Sequence, residues 1–387
     1  MLSRRHLLGA AALTGLLPLI ASAQTASSST RSSSAGTATT RRRQLVMIEL
    51  QGGNDGLNTV IPIRHPRYGA LRPTLGIAVK DALPLQVRDD VDGLAFHPAL
   101  RPLMPAWERG ALAVAMGVGQ PGAPNRSHFR ARDLWDLGVI GDDDRAGGWV
   151  GAATTSRTSP RRALVIAGDA GAFDDEHIAA LAPSMPAILL DGVIDGVASS
   201  ALAHVLRVAQ DVDVGRRDVQ RALGAVKGGR GHVAFAQQIE IAVRALRSDL
   251  DVVGLKLTLG GFDTHARQAP QQARLLGELA TGLATLHAAI ADRDDVVVIV
   301  QSEFGRRARE NGSGGTDHGA ANVAFVFGGG VAGGLIGAAP SLDDLDGQGD
   351  LRVGIDQRTL LAALAQRCFE LDTAAATSCF KAAPLSL

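Results

Sequence analysis

The chain has 387 residues, 46% hydrophobic and 20% charged, which is enough to bury a large core, and its 46 glycines imply many tight turns. Lys plus Arg and Asp plus Glu both number 39, so the net charge is +0 and no global field favours nucleic acid or an anionic membrane.

The N-terminal stretch MLSRRHLLGAAALTGLLPLIASAQ opens with Ser3-Arg4-Arg5, continues as an apolar run and reaches Ala21-Ser22-Ala23, a small-residue cleavage pattern. A twin-arginine-type signal peptide is therefore expected over residues 1–23, with Gln24 first in the mature chain and a periplasmic or extracellular destination. Residues 24–43 are rich in Ser, Thr and Arg with little to bury, and read as a flexible linker. No later segment approaches about 18 uninterrupted apolar residues, so the mature chain is expected to lack a transmembrane span. The only cysteines, Cys368 and Cys379, permit a local disulfide in an exported protein.

Residues 44–387 read as one α/β domain. Strands are expected at 45–50, 111–117, 163–167, 187–190, 252–259, 296–300 and 323–327, apolar on both faces as buried parallel strands are. Helical spacing is clearest at 127–137, 232–247 and 268–292. The fold expected is a mainly parallel sheet sandwiched by helices.

Polar groups cluster just after these strands. Asp55 follows the first and Ser127 follows the second, opening a helix; Asp263 and His265 lie in GGFDTH, and Glu303 in SEFGR. Ligands of open parallel sheets bind beyond the carboxyl ends of the strands, so several strands deliver candidate groups to one rim. Asp263, His265 and the His318 of the Asp317-His318 pair would make a three-ligand site with an open position, its mixed N/O donors suited to zinc or manganese. Asp55, Glu303 and the Ser127 hydroxyl would make an oxygen-rich second site. Ser127 also suits a helix cap, and that role is compatible with a nucleophile beside an anion-binding helix N-terminus. His65, His97, His177, His204, His232 and His287 read as surface or packing residues. Gly328, Gly330 and Gly333 match G-x-G-x-x-G but lack the long helix that a dinucleotide site requires, and no G-x-S-x-G is present.

The stretches ELQGGNDGLNTVIP, FHPAL, NRSHFRARDLWDLG, GGWVG, GGFDTH, SEFGRRARENGSGGTDHG and GGGVAGG, in that order, resemble the exported bacterial proteins grouped as the DUF1501 family. The resemblance implies an alkaline-phosphatase-like core, in a superfamily that includes sulfatases and phosphodiesterases. It also implies metal-dependent hydrolysis of phosphate or sulfate esters. On that pattern Ser127 is the nucleophile and Asp55, Asp263, His265, Glu303 and His318 bind metal; beside them Asn58, Arg306 and Asp317 are candidates for contacting a small anionic ester. The departure is Ser302-Glu303-Phe304-Gly305, which stands where the superfamily has Ser-Asp-His-Gly. A phenylalanine cannot ligate, so the second position suits calcium or magnesium, or none. The alternative is a catalytically silent envelope protein that keeps the fold to bind metal, a glycan or a partner protein; Phe304 favours it, and Asp263, His265 and His318 oppose it.

Overall fold

Strand β1 (Gln44–Gln51) is apolar on both faces because each face meets a layer of helices. The computed structural model describes residues 43–87, 90, 92–143, 145–154, 161–183, 200–224 and 233–387. The expected signal peptide, nearly all of the linker, the strand expected at 187–190 and the side chains of His204 and His232 lie outside the described residues.

After β1 come α1 (Gly56–Thr59), β2 (Val60–Pro62), α2 (Pro66–Leu71), β3 (Leu83–Pro84), β4 (Leu94–Phe96), α3 (Met104–Glu108) and β5 (Ala113–Gly119). The middle of the chain forms α4 (His128–Leu137), α5 (Trp149–Thr154), β6 (Arg161–Val165), β7 (Ile178–Leu181), α6 (Ser200–Leu223), α7 (Phe235–Arg247) and β8 (Gly254–Gly260). It ends with α8 (Gln268–Ala289), β9 (Val296–Ser302), β10 (Asn322–Gly328), β11 (Gly334–Ile336), β12 (Ile355–Asp356), α9 (Gln357–Phe369) and α10 (Thr373–Phe380).

Among the described residues one nine-stranded sheet runs in the order β11-β5-β10-β9-β1-β8-β6-β7, with β12 also paired to β5. Every pairing is parallel except those of β10, which is antiparallel to both β5 and β9. The mainly parallel sheet is as expected, but the run at 323–327 is the exception. An apolar strand buried on both faces carries no mark of its direction. The reversal has a functional consequence: the connection from β9 to β10 leaves and re-enters the sheet at the rim where β1 and β8 also end. Val46, Ile48 and Leu50 of β1 pack with α7 and α8, while Leu45 and Met47 pack on the side of α5, α9 and α10.

β2, β3, β4, β7, β11 and β12 have two to four residues each, too short for a periodic signal. Cys368 and Cys379 are free thiols, so the disulfide that their spacing permitted is not formed, and burial pushes the Cys368 thiol up to about 12. No described helix is long and apolar enough to cross a membrane.

Candidate metal centre

Three loops meet at the rim. The first follows β1 through Gly52 and Gly53, whose φ angles of +115° and +74° lie where side chains other than hydrogen are strained. A Cβ on Gly52 would stand 2.3 Å from the Asp263 nitrogen, and one on Gly53 would stand 2.5 Å from the Phe304 ring. The β1 loop is therefore wedged between the other two. Gly52→Ala is expected to destabilise the protein by more than about 1 kcal/mol, read from urea unfolding; an unchanged midpoint would mean that the loop relaxes without loss.

The loop after β8 carries Asp263 and His265, and the β9–β10 connection packs directly on it. A Cβ on Gly315 would lie 2.3 Å from the His265 carbonyl carbon, and Asn311 Nδ2 donates to the His265 carbonyl at 2.9 Å. The base of that connection is closed by Gly305 N donating to Ala320 O (3.1 Å), Gly319 N to Gly305 O (2.8 Å) and Arg307 N to Asp317 O (3.0 Å). Glu303 and His318 are thereby held on facing strands of one narrow turn.

At the meeting point Asp263 Oδ1 lies 3.1 Å from His265 Nε2 and 3.1 Å from His318 Nε2, and the two nitrogens are 3.0 Å apart. The other ring nitrogens fix the tautomers. His318 Nδ1 faces the Arg126 carbonyl at 3.0 Å, and His265 Nδ1 faces Asp317 Oδ1 at 3.4 Å. Both partners can only accept, so each Nδ1 donates and each Nε2 turns a lone pair toward the Asp263 carboxylate. Three acceptors facing one another repel unless a positive charge lies among them. Atoms that each ligate one ion at about 2.0–2.2 Å are about 3.0–3.5 Å from one another, so the trio fits a divalent cation in distance and in donor chemistry.

His128, the first residue of α4, joins this group. Its Nδ1 donates to Glu303 Oε1 at 2.8 Å, while its Nε2 is buried without a hydrogen bond, 3.5 Å from Asp263 Oδ2. One donor atom each from His128, Asp263 and His318 lies within 4.8 Å of the others. Phe304 packs under both imidazoles, its ring centroid 4.9 Å from that of His128 and 4.7 Å from that of His318.

The electrostatics favour positive charge here. Burial raises the Asp263 carboxyl, but the Arg306 guanidinium bonded to it outweighs burial and the pKa falls to about 2. The bond to Glu303 raises His128, whereas burial lowers His318. The Asn311 bond holds Asp317 below the usual carboxylate range. Burial opposes ionisation of Glu303, but the bonds from His128 and from the Gly52 amide (2.8 Å) keep it low.

Of the nine site residues expected from the sequence, Asp263, His265 and His318 come together, with Asp317 directly behind His265. Ser127 occupies the N-cap position of α4, where it is exposed, and its hydroxyl makes no capping bond. The others require correction. Asp55 is 2% exposed and its carboxylate is taken by the Arg72 guanidinium and Gln268 Nε2, so the positive charge beside it is an arginine. Glu303 spends its oxygens on Gly52, His128 and the Ser302 hydroxyl, and the oxygen-rich second site has no shared centre. Asn58 is buried between Tyr68 and Leu75. Arg306 is also buried, donating to the carbonyls of Gly53 and Thr316 (both 2.7 Å) and Phe262 (2.9 Å), and to Asp263 Oδ1 (2.7 Å). Both side chains are buried in contacts within the protein, and Arg306 positions Asp263. His128 is the residue that sequence reasoning missed, although it stands in the NRSHF stretch beside Ser127.

Residues 197–378 match the model of a family described as "Protein of unknown function (DUF1501)". No curated protein matches the chain. Among solved structures, the chain is similar to the lipooligosaccharide phosphoethanolamine transferase A of Neisseria meningitidis, with a TM-score of 0.40 and 10% identity over 76% of this chain. It covers 49% of that transferase, about half its length. A protein in the alkaline phosphatase superfamily from Vibrio parahaemolyticus gives a TM-score of 0.38 at 10% identity, covering 86% of this chain and 67% of that one. The alkaline phosphatase of the Antarctic bacterium TAB5 gives 0.35 at 10% identity, with 74% and 92% covered.

Proposed function

We propose that this member of the DUF1501 family holds a divalent metal ion at Asp263, His265 and His318 and hydrolyses phosphate or sulfate esters at the exposed rim above them. The observation that carries the reading is the 3.0–3.1 Å triangle of Asp263 Oδ1 and two Nε2 atoms, its carboxylate oxygen also held by Arg306 at 2.7 Å. A bound ion of the zinc or manganese type would supply Lewis-acid polarisation of an ester oxygen.

The remaining chemistry belongs to the chain. Ser127 Oγ, free of capping, attacks phosphorus or sulfur and gives its proton to solvent water; the bond to the leaving oxygen breaks, and that oxygen takes a proton from solvent water. Water then cleaves the seryl ester and restores the hydroxyl. The first-turn amides of α4, a helix of 10 residues, point toward the anion and stabilise its added charge. Export by the twin-arginine-type leader to the periplasm belongs to the same reading.

The silent-binder reading draws on Phe304, which fills the place of a ligand between His128 and His318. Native purification followed by metal analysis, with turnover of p-nitrophenyl phosphate, bis-p-nitrophenyl phosphate and p-nitrophenyl sulfate before and after chelation, separates the two. Hydrolysis lost on chelation and restored by metal is expected. Bound metal with no turnover of any ester selects the silent binder, and protein that takes up no metal ends both.

A further inference from the structure

We infer that His128 supplies a fourth ligand atom, Nε2, to the same ion as Asp263, His265 and His318, and that Glu303 orients His128 rather than ligating a second ion. The inference rests on the metal-binding half of the reading above. All three imidazoles are built alike: Nδ1 donates to a fixed acceptor, Glu303 Oε1 at 2.8 Å, Asp317 Oδ1 at 3.4 Å or Arg126 O at 3.0 Å. Each Nε2 is thereby turned toward Asp263. This is how proteins prepare histidine ligands, because the outer acceptor fixes both the tautomer and the ring plane.

Two further observations single out His128. Its Nε2 is buried yet makes no hydrogen bond, and it faces Asp263 Oδ2 at 3.5 Å. Its ring is clamped, edge-on to His318 at 4.5 Å between centroids and against Phe304 on another side. The two Asp263 oxygens divide the work: Oδ1 faces His265 and His318, and Oδ2 faces His128. The nitrogen that phenylalanine removes at 304 is thus returned from the first turn of α4, to one centre instead of two. Glu303 is engaged within the protein, Oε1 accepting from the Gly52 amide and from His128 and Oε2 lying 2.9 Å from the Ser302 hydroxyl, which fits an orienting role.

The test uses the full protein stripped of metal and titrated with Co(II). Readouts are cobalt per chain by mass spectrometry, dissociation constant by competition, and the intensity of the visible d–d bands. Wild type is expected to bind one equivalent. His128→Ala, at a partly exposed position, should weaken that equivalent by more than the roughly 10–100-fold lost when an orienting group is removed, with a changed d–d spectrum. Glu303→Gln should keep one equivalent with a smaller loss. Metal-free melting of His128→Ala and His128→Gln against wild type checks that folding is intact, and either variant serves if the other is unstable. Affinity and spectrum unchanged in both His128 variants would overturn the inference while leaving the three-residue site standing. Two equivalents in wild type falling to one in Glu303→Gln would overturn it too, whereas no cobalt in wild type would remove the underlying reading itself.

Discussion

If the proposed function holds, His265→Ala is expected to abolish tight metal binding and, with it, ester hydrolysis, the largest effect of any single change at the rim. His265 lies on an exposed loop with its side chain 45% accessible, so its removal leaves no cavity in the core. What it removes is one of three donor atoms mutually 3.0–3.1 Å apart. Loss of a direct ligand should exceed the ~10–100-fold that loss of an orienting partner produces. Asp317→Asn, one step behind His265, should stay within that smaller range. Stability gives a second readout, since a ligand that binds only the folded state at 100 times its dissociation constant adds about 2.7 kcal/mol. Wild type should therefore melt higher with added zinc or manganese, and His265→Ala should not. Equal metal content in the two proteins after dialysis, by mass spectrometry, would show that His265 is no ligand.

Those three residues were legible in the sequence because each stood after an apolar strand, and a sheet delivers such positions to one rim. Asp55 obeyed the same rule and misled. Its partners, Arg72 and Gln268, come from α2 and α8, and nothing in the local sequence of either announces the contact. The rule locates an edge of the sheet and says nothing of which charges there are already neutralised. Arg306 failed for the same reason, since four backbone carbonyls claim a guanidinium that the sequence left free.

His128 was hidden differently. A histidine next to a serine at a helix start reads as part of a cap, and only the fold shows its Nδ1 reaching Glu303, which lies 175 positions away. Its pairing with Phe304 was the readable half: an aromatic in place of a ligand announces that the site has changed, without saying what replaces the lost nitrogen. One signal passed over was plain in the strands themselves. Glu49 in LVMIEL and Lys256 in VVGLKLTL are charges inside runs buried on both faces, and such charges occur where they pair.

Lys256→Met is expected to lower the free energy of unfolding by about 3–5 kcal/mol at pH 8, the range for removing one partner of a buried ion pair. Lys256 is 1% exposed, with Nζ 2.9 Å from Asp169 Oδ1, 3.3 Å from Glu49 Oε2 and 3.9 Å from Asp136 Oδ1. Arg132 serves Glu49 and Asp169 as well, so those two keep a cation in the variant. Asp136 depends on Lys256 most. Burial already raises its carboxyl from 3.8 to about 7 against the pull of Lys256, and without the ammonium it moves higher. A carboxyl raised on folding contributes stability that is full below 3.8 and is lost as pH rises through the folded value, so the loss in Lys256→Met should be smaller at pH 5 than at pH 8. Adding Asp136→Asn should recover part of the loss at pH 8 and little at pH 5. Arg132 and Asp136 belong to α4, the helix whose first turn carries Ser127 and His128, so the buried cluster ties that turn to the sheet. Weaker cobalt binding by folded Lys256→Met would be its signature at the site. A loss under about 1 kcal/mol at pH 8, or one equal at both pH values, would show that α4 is held by its apolar face alone.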